Sequence, residues 1–145
     1  MPEILLVEDS ADDIELTLRA FRRRQAQQSV AVVKDGEEAL EYLFREGRYE
    51  DRDVNSSPRL VLLDLNLPKL GGVQVLQRLR SDDRTKLLPV VVLTTSAEPR
   101  VLEECYGYGA NSYVRKPVDF RDFESVVDQL HNYWLSLNLP PRKGA

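Results

Sequence analysis

The sequence predicts an α/β domain on a doubly wound parallel sheet, and two observations carry that prediction. Short apolar runs recur along the 145 residues at Ile4-Leu5-Leu6-Val7, Val30-Ala31-Val32-Val33, Leu60-Val61-Leu62-Leu63, Pro89-Val90-Val91-Val92-Leu93 and Tyr113-Val114. They are rich in β-branched residues and do not alternate with polar ones, as strands covered on both faces read. Segments of helical period lie between them. Five strand–helix repeats, joined by right-handed crossovers, place helices on both faces of one sheet.

After the first strand, Ile14, Leu18 and Phe21 share a helical face, with Asp12 and Asp13 in a first turn that welcomes negative charge. Asp35-Gly36 then turns the second strand into a helix carrying Ala39, Leu40, Leu43 and Phe44 on one side. The stretch from Glu46 to Ser57 is polar and aperiodic and reads as a surface loop. Val73, Leu76 and Leu79 mark the third helix, and Val101, Leu102 and Cys105 the fourth, punctuated by Gly107 and Gly109. The last helix starts near Asp119, spaces Phe123, Val127, Leu130, Trp134 and Leu137 by fours and threes, and stops before Pro140-Pro141.

Composition narrows the function classes. Lys and Arg number 20 against 24 Asp and Glu, a net charge of −4 that argues against nucleic acid as the main partner, since phosphate contacts need a basic face. The single cysteine, Cys105, excludes an internal disulfide and suits a reducing cytosol. No run approaches a membrane span, and Met1-Pro2-Glu3 places no basic region ahead of the first apolar run. The expectation is a cytoplasmic protein without membrane contact.

In an open parallel sheet, function gathers at the carboxyl ends of the strands. Strand one ends in Glu8-Asp9, strand three in Asp64, strand four in Thr94-Thr95 and strand five in Lys116. Carboxylates brought together raise one another's pKa unless a cation lies among them. The donors are hard oxygens with no His or Cys at a strand end, which suits Mg²⁺, or Mn²⁺, better than zinc. Mg²⁺ commonly completes its shell with phosphate oxygens, a lysine can neutralise a phosphoryl oxygen, and a threonine hydroxyl can bond another. Asp64 closes the strand read as central and is the best-placed nucleophile for an acyl phosphate.

Val7-Glu8-Asp9, Leu63-Asp64-Leu65-Asn66-Leu67-Pro68 with Gly71-Gly72, Val92-Leu93-Thr94-Thr95-Ser96, and Gly109 to Pro117 together resemble the receiver domain of two-component response regulators. The resemblance runs from about residue 3 to 130, leaving residues 131–145 as a C-terminal helix extension and tail. It implies a flavodoxin-like fold with strand order 2-1-3-4-5, the order that general rules give for one protein of this family. Asp64 would accept a phosphoryl group from the phosphohistidine of a sensor histidine kinase. Asp9 would bind Mg²⁺ directly, Glu8 mainly through water, and Asn66 through its backbone carbonyl. Lys116 would pair with the phosphoryl group and precede a cis bond to Pro117. Thr94 and Tyr113 would form the switch, and Asn66 and Ser96 would tune phosphoryl lifetime. Two departures stand out: Glu8 where the family often has Asp, and Gly71-Gly72 where a capping side chain is common.

By this reading the chain is a phosphoacceptor signalling protein, not an enzyme acting on external substrates, and its output runs through protein contacts. A phosphatase of the haloacid-dehalogenase kind also uses an Asp nucleophile with Mg²⁺ but needs a second acid where Asn66 stands. A non-phosphorylated scaffold is disfavoured because no phosphorylation residue is missing. Arg22-Arg23-Arg24 reads as a solvated helix end, His131 as remote from the chemistry and Cys105 as a small buried hydrophobe. Exposed, Trp134, Leu135, Leu137 and Leu139 would each forgo about 1.5–3 kcal/mol of burial. They either fold back on their own domain or, the sharper expectation, form a homodimer through the helix and tail. The 46–57 loop, Leu93 to Ser96 and the Tyr133 to Pro141 ending also resemble regulators paired with phytochrome-type kinases.

Overall fold

A computed structural model of the chain describes residues 2–24, 29–53 and 57–141, so residues 54–56 of the predicted loop and the last four of the 131–145 extension lie outside it. Strands and helices alternate in chain order: β1 (Ile4–Val7), α1 (Ala11–Arg23), β2 (Val30–Val33), α2 (Gly36–Phe44), β3 (Leu60–Leu63), α3 (Gly72–Arg80), β4 (Val90–Thr94), α4 (Pro99–Gly107), β5 (Ser112–Arg115) and α5 (Phe120–Asn132). All pairings are parallel, and the sheet order is β2-β1-β3-β4-β5, as expected for the flavodoxin-like arrangement.

The pairing explains why the strand sequences do not alternate. Leu5, Val7, Val61, Leu63, Val90 and Val92 face a core shared with α2, α3 and Cys105 of α4. Ile4, Leu6, Leu60, Leu62 and Val91 face the opposite core with Ala20 and Phe21 of α1 and Phe123 and Val127 of α5. Side chains point to opposite faces every second residue, so a sheet covered on both sides needs apolar residues at every position. The edge strands depart from this expectation: only Val33 of β2 is fully buried, and no residue of β5 is. An edge strand has a neighbour on one side only.

Register positions the functional residues. Val7 pairs with both Val33 and Leu63, so Glu8 and Asp64 leave β1 and β3 level with each other. The ladder continues one residue further, with Asp64 N–H donating to the Val7 carbonyl at 3.0 Å and Lys116 N–H to the Thr94 carbonyl at 2.7 Å. At α1, the Ser10 hydroxyl caps the helix by accepting from Asp13 N–H. α3 starts at Gly71 without a side-chain cap, as its sequence predicts.

One expectation is corrected and two are made more specific. The Lys116–Pro117 bond is trans, like every described peptide bond. Trans is the lower-energy X-Pro form by about 0.5–1 kcal/mol, and in it the Lys116 side chain already reaches the acidic residues. The predicted 46–57 loop contains a 3₁₀ turn at Gly47–Tyr49, where Tyr49 donates its hydroxyl to Glu38 at 2.6 Å and stacks edge-on against Tyr42. The last helix continues beyond Asn132 as a π-helical turn, Tyr133–Leu137, and Trp134 joins Phe123 and Val127 in the α1/α5 core. That residue therefore folds back on its own domain, while Leu137 and Leu139 stay exposed.

Gly72 allows the closest backbone approach near the site: a Cβ there would lie 2.4 Å from the Asp64 carbonyl oxygen. Gly72→Ala must push α3 away from β3, and we expect a loss of roughly 1–3 kcal/mol, read as a lowered thermal midpoint by circular dichroism. An unchanged midpoint would show that this approach is not tight in solution.

Candidate functional site

The carboxyl edge of the sheet gathers the residues that the sequence nominates. Glu8 and Asp64 are buried, 2% and 8% exposed, while Asp9 faces solvent. One carboxylate oxygen from each of the three lies within 4.8 Å of the others. Glu8 folds back at the top of β1, its Oε2 accepting from the Asp9 and Ser10 N–H groups at 3.1 and 3.3 Å. Asp64 Oδ1 accepts from Leu65 N–H at 2.8 Å.

Lys116, 6% exposed, extends its ammonium into this cluster. Nζ donates to Glu8 Oε1, to Asp13 Oδ2 at 2.8 Å and, more weakly, to Asp64 Oδ2 at 3.5 Å. Burial disfavours the charged amine, but the hydrogen bonds it donates to Asp13 and Glu8 and the charge of Asp64 outweigh it, so the Lys116 pKa is raised. Burial also pushes Glu8 up to about 7, with Asp64 adding to the rise and Lys116 opposing it. The two shifts are compatible because carboxylates outnumber the ammonium.

Thr94 is fully buried at the end of β4, and its hydroxyl oxygen has no hydrogen-bond partner. A buried hydroxyl left unpaired is costly and points to a group that completes it. An all-oxygen donor set of carboxylates, with no His or Cys among them, fits a hard divalent cation such as Mg²⁺ or Mn²⁺. Asn66 is exposed on the loop after β3. Ser96 is half-buried, and its carbonyl accepts from the Tyr113 hydroxyl at 2.8 Å, which ties β5 to the loop leading into α4.

The sequence reading places Asp13 in the first turn of α1 and misses its contact with Lys116. Its only local signal is the spacing Ser10-Ala11-Asp12-Asp13, which reads as a helix start. Cys105, His131 and the arginine run take structural roles. Cys105 is buried and free, His131 packs edge-on against Phe21 at 5.6 Å, and Arg22, Arg23 and Arg24 pair with Glu15, Glu124 and Asp128.

Residues 4–128 match the response regulator receiver domain. The chain belongs to that family. Among relatives of this receiver, the probable methanogenesis regulatory protein FilR2 of Methanothrix harundinacea is 41% identical over 95% of this chain and 86% of its own. Response regulator Rcp1 of Synechocystis sp. is 35% identical over 94% and 92% of the two chains. The crystal structure of its Mn²⁺-bound form superposes with a TM-score of 0.85 over 96% and 98%. That of the phosphorylated cyanobacterial phytochrome response regulator RcpA superposes with a TM-score of 0.88, at 38% identity over 96% of this chain and 97% of that one. Among the described residues of this receiver, no helix is long and apolar enough to cross a membrane.

Because the Glu8 pKa rises on folding, its protonated form is the one the metal-free fold favours. Its contribution is complete below about pH 4.5 and is lost as pH rises through about 7. In chelator, thermal midpoints of the wild type and Glu8→Gln should lie close at pH 5 and separate at pH 8, with the wild type lower. Parallel midpoints across that range would contradict the burial effect.

Proposed function

We propose that this receiver accepts a phosphoryl group on Asp64 from the phosphohistidine of a sensor histidine kinase. The observation that carries this reading is one carboxyl edge where Asp64, the Lys116 ammonium and the unpaired Thr94 hydroxyl stand with two further acids. Asp9, Glu8 and Asp64, with the Asn66 backbone carbonyl, are the groups that would hold a divalent cation, and the Mn²⁺-bound form of the related Rcp1 supports that assignment. Such a cation, when bound, offsets charge on the phosphoryl oxygens.

An Asp64 carboxylate oxygen attacks phosphorus as the P–N bond to the imidazole breaks. The bonding pair leaves with the ring nitrogen, and the product is an acyl phosphate on Asp64. Lys116 pairs with a phosphoryl oxygen from the side on which its contact to Asp64 is now long. Thr94 donates its hydroxyl to a second phosphoryl oxygen, and Tyr113 responds through its bond to the Ser96 carbonyl. This pair forms the switch that alters the α4 and β5 surface for protein partners. Asn66 and Ser96 set the lifetime of the phosphoryl group. The similarity to a phytochrome response regulator supports a phytochrome-type kinase as donor. The exposed Asn66, where a haloacid-dehalogenase phosphatase needs an acid, disfavours turnover on external substrates.

Incubation with acetyl phosphate and Mg²⁺, followed by intact mass, should give one acid-stable, base-labile phosphoryl adduct that Asp64→Asn lacks. Multiple turnover without an adduct would support the phosphatase, and no reaction the scaffold.

The exposed apolar residues that follow α5 support a homodimer through residues 131–145. Tyr133, Leu137 and Leu139 are 49%, 66% and 90% exposed, and burying each leucine against a second copy is worth about 1.5–3 kcal/mol. Truncation after Leu130 would also remove Trp134 from the core, so point changes are the cleaner test. Sedimentation should give a dimer at micromolar concentration and a folded monomer for Leu137→Ser with Leu139→Ser. A monomeric wild type would end the proposal.

A further inference from the structure

Asp13 stands apart from the other acids of the site. It is not among the carboxylates whose oxygens lie within 4.8 Å of one another, yet its Oδ2 accepts from Lys116 Nζ at 2.8 Å across 103 residues of sequence. Its side chain is 29% exposed against 5% for that of Lys116, so it forms the outer wall of the lysine's chamber. Asp13 is itself fixed at both backbone ends. Its N–H donates to the Ser10 hydroxyl at 3.3 Å, and its carbonyl accepts from the buried Thr17 hydroxyl at 2.8 Å. The first turn of α1 thus holds a carboxylate rigidly against a flexible side chain from the end of β5.

An ammonium has three N–H groups. In Lys116 one is taken by Glu8 and a second by Asp13, which leaves the third directed toward Asp64 Oδ2 at 3.5 Å. We infer that Asp13 is a positioning residue for phosphoryl transfer: it and Glu8 together aim the third Lys116 N–H at the place a phosphoryl oxygen on Asp64 takes. This rests on the proposed function of Asp64. Without Asp13 the ammonium is anchored from one side only, and a lysine stem has many rotamers to explore. The acceptor, more than the charge, does the aiming. Asparagine at this position offers an acceptor oxygen in nearly the same shape, and alanine offers none.

Two measurements test the inference on full-length protein whose circular dichroism matches the wild type. In metal-free protein, the side-chain ammonium signal of Lys116 in ¹H–¹⁵N spectra should be protected from exchange in the wild type, retained in Asp13→Asn and lost in Asp13→Ala. With acetyl phosphate at saturating Mg²⁺, Asp13→Ala should form the Asp64 adduct about tenfold more slowly, the scale of one charge-assisted hydrogen bond. Asp13→Asn should recover most of that rate, and the Mg²⁺ midpoint should stay at the wild-type value in both. A wild-type rate in Asp13→Ala overturns the inference and leaves the proposed function standing. So does a loss that excess Mg²⁺ restores, because Asp13 would then act through its charge on the cation. If the wild type forms no Asp64-dependent adduct, the proposed function falls and this role with it.

Discussion

The site depends on one buried ammonium. Glu8, Asp13 and Asp64 come from two strand ends and a helix start, and Lys116 touches all three. Acids this close repel one another, and leaving a buried charge without its partner is typically worth 3–5 kcal/mol of instability, on the order measured for broken buried ion pairs. Lys116 therefore connects the end of β5 to the ends of β1 and β3 and to α1. The same ammonium that holds these acids together is the one that would meet a phosphoryl group on Asp64, so structure and chemistry would compete for its hydrogens.

What the sequence revealed depends on whether the information was local. Val61 and Val91 are apolar because helices cover both faces above them, and the uninterrupted runs said so. Val30 and Val32 look the same in sequence but lie on an edge, a property of strand order that no window of residues contains. Trp134 fits a four-and-three spacing that serves a helix seam between two copies or a core within one domain equally, and it packs in the domain's own core. Asp13 satisfies its local role at a helix start and its distant contact with Lys116 at once, and the first concealed the second. Glu8, Asp64, Thr94 and Lys116 were legible because strand ends in a parallel sheet converge by topology.

The two faces of the sheet divide the work. The α1/α5 face carries Phe21, Phe123, Val127 and Trp134 in a continuous core and presents Asp13 at its upper edge. The other face carries α2, α3 and α4 and receives Tyr113, which bridges to Ser96. Only Cys105 of α4 is fully buried, so that helix has the lightest hold on the sheet of any on its face. An element that moves on signalling must come from the weakly held parts of a fold, and α4 meets that condition beside Tyr113.

The level exit of Glu8 and Asp64 from neighbouring strands means that backbone hydrogen bonds act as the ruler of the site. Adjacent strands lie about 4.7–4.9 Å apart whatever side chains they carry, so the backbone positions from which Glu8 and Asp64 extend are set by the ladder. Core residues can thus be exchanged for others of similar volume without moving the two strand ends apart, because the measuring is done by peptide groups common to every sequence. The spacing of the strand ends is inherited from the sheet, and natural variation is left free to tune what they carry.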